Sequence, residues 1–539
     1  MTEVFIRKTS GLTRVIGPWD ALAFAFMTPG IANCNILLLW THQAYPGVNV
    51  PIAVIPAVLL MFIPALLYIW FSIAMPRSGG EYIWGSRILS PAWGFSAGWV
   101  LTTIGASWAG SLTYLAVGFG INNVLRTIAI SELGKLASTH PYWLLANSID
   151  APIGMMLVGG LLVVVEFLIM WRGARAAMIL SWIGVISGVL SLVIFDIGVL
   201  TGGGLPTFIE RFNMMSGTTY QAVLDAAKAA KWPVGLYDMN VSLGAGITFV
   251  ALNTLGSTYT ANIMGEVKEI RKAAIAAMLG ALILLFIFWE LFYSLAYYGF
   301  SGEFWAAASY FAPGGAGFGT WQGWPLGTIM PVPSFMLVYA NPNAGYAVLS
   351  CAMAAITWFA AGMGAAFGPV RNIFAYSFDR VLPTFFAKTD KRGSPWAAVL
   401  LGLIIGEIFL YIFIYQASWI AYTILSWFFA WAIVGVVGMV FPFTSRGKAI
   451  FEKSPEIVKK KIGGVPVLFI LGLLTFIISV ALDYSMLLPF LTGLASSFYI
   501  WITITMFIAP SFIIYYVSRA YHKMKGIPME LQFKQIPPD

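Results

Sequence analysis

Long apolar runs alternate with short polar segments along the whole chain. Runs of about 20 apolar residues, enough to cross the hydrocarbon core of a bilayer as a helix, recur twelve times. They fall near 17–40, 51–74, 91–122, 151–171, 176–200, 243–267, 273–300, 344–370, 396–416, 418–441, 464–482 and 488–516, numbered here spans 1 to 12. The pattern predicts an all-α integral membrane protein. Two larger segments, 201–242 and 301–343, interrupt it. The second is rich in Gly, Trp, Phe and Pro, and reads either as a lid over an external vestibule or as a passive outer cap.

Composition agrees: 59% of the 539 residues are hydrophobic and 10% charged, against roughly 25% charged in a soluble domain. The net charge of +8 could suggest nucleic acid, but its distribution argues otherwise. With the N-terminus in the cytoplasm, every Lys and Arg falls on cytoplasmic segments except Arg126, Lys135, Arg211, Lys228 and Lys231. A wrong span count would scramble that asymmetry, so both termini are expected inside. The run Lys459-Lys460-Lys461 is then an orienting inner loop. No cleavable leader pattern precedes span 1, and Cys34 and Cys351 both lie in apolar spans, where a disulfide framework is not expected.

Spans 1 and 6 carry polar, glycine-containing centres. Span 1 reads Met27-Thr28-Pro29-Gly30-Ile31, where Pro29 removes an amide donor and Gly30 relaxes the backbone. Span 6 reads Phe249-Val250-Ala251-Leu252-Asn253-Thr254-Leu255-Gly256-Ser257. Being five spans apart, the two run in opposite directions, and interruptions so paired point to an inverted-repeat transporter. A broken helix offers amides to a carboxylate and carbonyls to an ammonium, which suits a zwitterionic amino acid.

Between spans 2 and 3 lies Met75-Pro76-Arg77-Ser78-Gly79-Gly80-Glu81-Tyr82, followed by Ile83 to Trp99. This stretch resembles the signature loop of the amino acid–polyamine–organocation permeases. Thr28-Pro29-Gly30-Ile31, Gly265-Glu266-Val267-Lys268 and Arg371 to Lys388, with Gly393-Ser394-Pro395, resemble further motifs of that superfamily. The resemblance implies a five-plus-five inverted-repeat, leucine-transporter-like fold. Residues 17–200 would form the first repeat, 243–441 the second, 464–516 two additional C-terminal helices, and 517–539 a cytoplasmic tail. It also implies amino acid transport across the plasma membrane by secondary active transport or exchange. A polyamine, nucleobase or other organic amine permease, or a non-transporting sensor on the same fold, is the alternative.

The substrate is expected at Thr28, Pro29, Gly30 and Ile31 and at Leu252, Asn253, Leu255, Gly256 and Ser257. Leu252 stands where many members carry an aromatic gate, so the gate is assigned to Trp108, Phe249 or Trp358. The spans expected to line the solute hold no mid-membrane carboxylate, which favours a neutral amino acid; Ser107, Ser111, Thr254, Ser257 and Ser426 are candidate hydroxyl contacts. Phe359 to Tyr376 contains no Ser or Thr for a sodium ion, with Thr357 about a turn or more outward, and span 5 has no lysine after its start. That leaves exchange, facilitated diffusion or proton coupling. Glu290 and Glu407 are the candidates for the last, with Asp196 and Glu166 expected nearer the interface. His42, His140 and His522 fall in loops or tails and make no metal spacing, so no enzyme, cofactor or metal is expected. Beyond lipid and solute, a homodimer is the one partner left open.

Overall fold

The structure is a computed structural model and describes residues 14–136, 138–251, 253–416, 419–491 and 498–534. It is 78% helical, and its only sheet among the described residues is the hairpin Lys461–Ile462 with Val465–Pro466. Among the described residues, ten helices are long and apolar enough to cross a membrane. They are Pro18–Ala44, Val50–Ala74, Pro91–Leu133, Pro152–Trp171, Ala174–Thr201, Ile270–Phe300, Gly345–Phe378, Trp396–Tyr415, Val467–Leu487 and Ile500–Met524, matching spans 1–5, 7–9, 11 and 12. Span 10 is the helix Trp419–Val440, which turns through 76° into the short helix Ser445–Lys453. Span 6 is built in pieces. The chain is an all-α, multi-pass membrane protein.

Helix starts follow local chemistry. Pro18, Pro91, Pro141 and Pro152 begin their helices, where no amide bond is lost. Ser90 and Asn49 cap spans 3 and 2 with side-chain oxygens. Span 3 extends well beyond its expected end, through a π-helical turn at Ala116–Ile121 to Leu133, where Gly134 adopts a left-handed C-cap. Span 8 likewise continues eight residues past its expected end at 370, to Phe378, despite the internal Pro369.

Span 1 is almost wholly enclosed, whereas spans 11 and 12 show most of their surface outward. Span 8 packs along spans 3 and 5 at the centre. Exposed apolar stripes at four-residue spacing, Ile153, Leu157 and Leu161 on span 4 and Leu400, Ile404 and Ile408 on span 9, face outward as lipid requires. The segment 301–343 is not loop alone: the helices Gly302–Phe311 and Pro333–Ala340 sink into the bundle. Gln43 ties span 1 to the carbonyls of Ser309 and Pro313, and Asn35 accepts the Ser334 amide at 2.9 Å.

The two carboxylates expected nearer the interface are enclosed by neighbouring helices. Glu166 is fully enclosed between spans 3, 4 and 8, accepting the Thr113 hydroxyl at 2.7 Å. Gly362 leaves the room for its carboxyl. Asp196 is also buried, beside Cys34 of span 1, with neither oxygen partnered. The residues that enclose the two carboxyls, Thr113, Gly362 and Cys34, come from other helices, which position along spans 4 and 5 does not reveal.

Candidate functional site: two helix breaks in contact

Span 1 is α-helical to Met27 and from Cys34 onward, with a short 3₁₀ turn at Ile31–Asn33 between. Gly30 sits at φ 78°, ψ 91°, a left-handed backbone that side chains with a Cβ rarely adopt. The Thr28 hydroxyl donates back to the Phe24 carbonyl at 2.6 Å, closing the first half-helix. The Asn33 amide donates to the Pro29 carbonyl at 2.7 Å, spanning the break.

Span 6 begins as an α-helix, Met239–Ala245, becomes π-helical over Gly246–Val250, and resumes as a 3₁₀ helix over Leu255–Glu266. Twelve residues is long for a 3₁₀ helix, whose runs seldom exceed 3–4 residues. The change of helix type brackets the expected interruption. Leu252 lies outside the described residues; the Asn253 and Thr254 amides bond back to Val250 and Ala251, and Leu255 opens the 3₁₀ segment.

The two breaks meet backbone to backbone. A Cβ placed on Gly256 would come within 2.8 Å of the Pro29 nitrogen and 3.0 Å of the Thr28 carbonyl carbon. Thr28, Pro29 and Gly256 are thus brought together. Span 8 closes one side, where a Cβ on Gly364 would lie 2.9 Å from the Thr28 hydroxyl. Span 5 closes another: a Cβ on Gly188 would meet Ile31 and the Thr357 hydroxyl, each at 2.8 Å. Thr357 itself donates to the Gly184 carbonyl at 2.8 Å, so its hydroxyl lies beside the break rather than outward of it.

Two tryptophans brace the break. Trp358, fully buried, donates its indole N–H to Asn33 at 2.7 Å, and Trp289 of span 7 donates to the Ile31 carbonyl at 2.8 Å. Neither Trp289 nor Asn33 was expected here; a polar residue three or four positions past the Pro-Gly pair was the available signal for Asn33. Trp108 is stacked on Trp427 of span 10 at 5.2 Å, and Tyr259 meets Trp427 edge-on at 5.0 Å. Phe249 lies in the π-helical segment.

The candidate hydroxyls divide. Ser107, Ser111, Thr254 and Ser257 bond back to their own helix carbonyls. Ser426 is buried and unpartnered, as are the indole N–H groups of Trp108 and Trp427. Glu290 and Glu407 are half-buried on outer faces; Glu290 receives the Ser294 hydroxyl, and the Glu407 carboxylate lies against Gly160 of span 4. The structure does not bring either to the breaks.

At one end of the bundle, two buried ion pairs clasp the ends of spans 6 and 8 and the loop helix Gly80–Ile88. Arg371 bonds Glu266 at 2.7 Å and Arg87 bonds Asp379 at 2.7 Å, with Tyr82 donating to the same carboxylate. The glycines of the signature loop permit this docking. Gly80, at φ 37°, would put a Cβ 2.3 Å from the Asn262 side chain, and Gly79 donates to the Asn262 carbonyl.

Two interrupted, mutually braced spans over a clasped inner end are one part of the picture, and comparison with known families supplies the other. The family model described as amino acid permease matches residues 16–531, nearly the whole chain. It covers both breaks and the signature loop, and the chain therefore belongs to the amino acid permease family of the amino acid–polyamine–organocation superfamily.

Proposed function

We propose that this permease carries amino acids with neutral side chains across the plasma membrane by alternating access, with both termini in the cytoplasm. Residues 17–200 and 243–441 act as the two inverted repeats. The observation that carries the reading is the backbone contact of the two breaks at Pro29 and Gly256. There, the amides after Gly30 would receive the substrate carboxylate and the carbonyls before Gly256 its ammonium. Ser426, Trp108 and Trp427 hold unpartnered donors for the rest of the solute. A cationic side chain held without a counter-charge would cost roughly 2.5–3.5 kcal/mol even on the mildest insertion scale. Sodium coupling is disfavoured, because Phe359 to Tyr376 of span 8 supplies no Ser or Thr hydroxyl as a ligand. Competition for uptake in proteoliposomes tests the reading. Leucine, alanine or serine should displace substrate better than arginine or a polyamine.

One observation favours a second reading, an organic amine substrate. Asp196 is a buried, unpartnered carboxylate beside Cys34, one turn outward of the break. It would serve as counter-charge to an ammonium. Asp196→Asn should abolish transport on this reading and leave uptake of neutral amino acids measurable on the first.

A further inference from the structure

The signature loop carries a buried carboxyl that the helix breaks do not use. Glu81, on the loop helix Gly80–Ile88, is 1% exposed, and its Oε2 has no partner among the described residues. Around it stand Tyr68 of span 2, Asn262 of span 6 and Trp431 of span 10. The Tyr68 hydroxyl, both polar atoms of the Asn262 amide and the Trp431 indole N–H are also buried, and their polar interactions run within the cluster, Glu81 with Tyr68 and Asn262 and Tyr68 with Trp431. Five polar atoms from four elements thus converge with no side-chain partner outside the cluster among the described residues. Such a cluster persists when a proton or water completes it.

Among the described residues no cation is paired with Glu81. On its own helix, Arg87 is paired with Asp379, and Tyr82 bonds that same carboxylate. Span 6 presents Tyr259 and span 8 presents Tyr376, while Arg371 of span 8 is paired with Glu266. Span 3 has no charged residue between Pro91 and Leu115. On the cytoplasmic segments flanking the loop helix, Arg446, Lys448, Glu452, Lys453, Glu530 and Lys534 are exposed.

We infer that Glu81, with Tyr68, Asn262 and Trp431, forms a proton-binding site within the cytoplasmic gate. The carboxyl is neutral while the gate is shut and yields its proton to the cytoplasm when the loop helix and span 6 separate. This rests on the alternating-access reading above. Burial pushes the Glu81 carboxyl up from 4.5 to about 7, while Tyr68 and Asn262, which favour the charged form, pull the other way. The shut state therefore binds the proton more tightly than a hydrated carboxyl does. Acid favours the shut gate. The open population rises ~tenfold per pH unit between the two values and levels off above the higher one.

Exchange of a labelled neutral amino acid in proteoliposomes, with equal pH on both faces, tests this. Wild-type exchange should climb about tenfold or more from acid to neutral pH and then flatten. Glu81→Gln should keep exchanging at a rate that varies less than about twofold, since no proton is bound or released. A Glu81→Gln profile that tracks the wild type, or a flat wild-type profile, overturns the inference. Should Glu81→Gln not fold, Tyr68→Phe carries the test. Loss of the hydroxyl should raise the midpoint by about half a pH unit, and an unmoved midpoint counts against the site. If the wild type exchanges no amino acid at any pH, the transport reading fails instead. The infrared band of the protonated carboxyl, titrated in detergent and compared with Glu81→Gln, then decides the proton site alone: a band that titrates near neutrality only in the wild type supports it, and identical titrations refute it.

Discussion

Gly256→Ala puts the proposed site to its most direct trial. The added methyl carbon would sit 2.8 Å from the Pro29 nitrogen, 3.0 Å from the Pro29 Cα and 3.0 Å from the Thr28 carbonyl carbon. All three are backbone atoms, held by the Asn33–Pro29 and Thr28–Phe24 hydrogen bonds and by the Trp358 and Trp289 braces. No flexible side chain end can swing away, so the breaks must part. Overpacking of this kind costs typically 1–3 kcal/mol, equivalent to about a five- to 150-fold loss if it falls on the transport-competent state. Gly244, in the same span, supplies the control: nothing lies within 4 Å of its would-be Cβ. Gly244→Ala should be neutral or stabilising by up to about 1 kcal/mol, since glycine within a helix carries an entropic penalty. Both variants are read by exchange in proteoliposomes and by thermal unfolding in detergent. Gly256→Ala should lose most of its exchange while remaining folded and monodisperse. Wild-type exchange from Gly256→Ala, or an equal loss in Gly244→Ala, would refute the assignment of the site to this contact.

Three other outcomes follow from the geometry. Trp358→Phe keeps the ring but leaves the buried Asn33 oxygen without its donor, so it should destabilise by about 1–3 kcal/mol in thermal or denaturant unfolding, and Asn33→Leu added to it should restore part of the loss. Glu266→Gln leaves the buried Arg371 charge unpaired and should cost about 3–5 kcal/mol, whereas the double variant Glu266→Gln with Arg371→Met should recover much of it; an additive double would show that the pair does not act as a unit. Uptake should not change when sodium is replaced by choline, because Phe359 to Tyr376 offers no hydroxyl ligand; a steep sodium dependence would reverse this.

Most of the architecture was legible from apolar run length, because a bilayer leaves a helix as the only open-ended solution for its backbone. The break in span 1 was equally legible, since Pro29-Gly30 signals both a missing donor and a left-handed turn. Other features rest on tertiary contact. Leu255 and Gly256 give no sign, in sequence, that they begin a twelve-residue 3₁₀ helix; the close approach of Pro29 and the docking of Ser78 against Gly265 hold that segment from both ends. The enclosure of Glu166 and Asp196 was not legible, because it depends on partners from other helices, Thr113 and Gly362 for the first and Cys34 for the second. Trp358 looked like a free aromatic until its partner, Asn33, was placed 325 residues away in sequence.

The 3₁₀ segment of span 6 has a consequence in length. At about 2.0 Å rise per residue, Leu255–Glu266 reaches roughly 24 Å, whereas the same twelve residues wound as an α-helix at about 1.5 Å each would reach roughly 18 Å. The inner half of span 6 is therefore drawn out by about 6 Å, more than one α-helical turn. One end abuts Pro29, and the other is fixed to the signature loop and to Arg371. Rewinding would shorten the tether between the contact at Pro29 and the clasp at Arg371, converting a local change of helix type into an axial stroke.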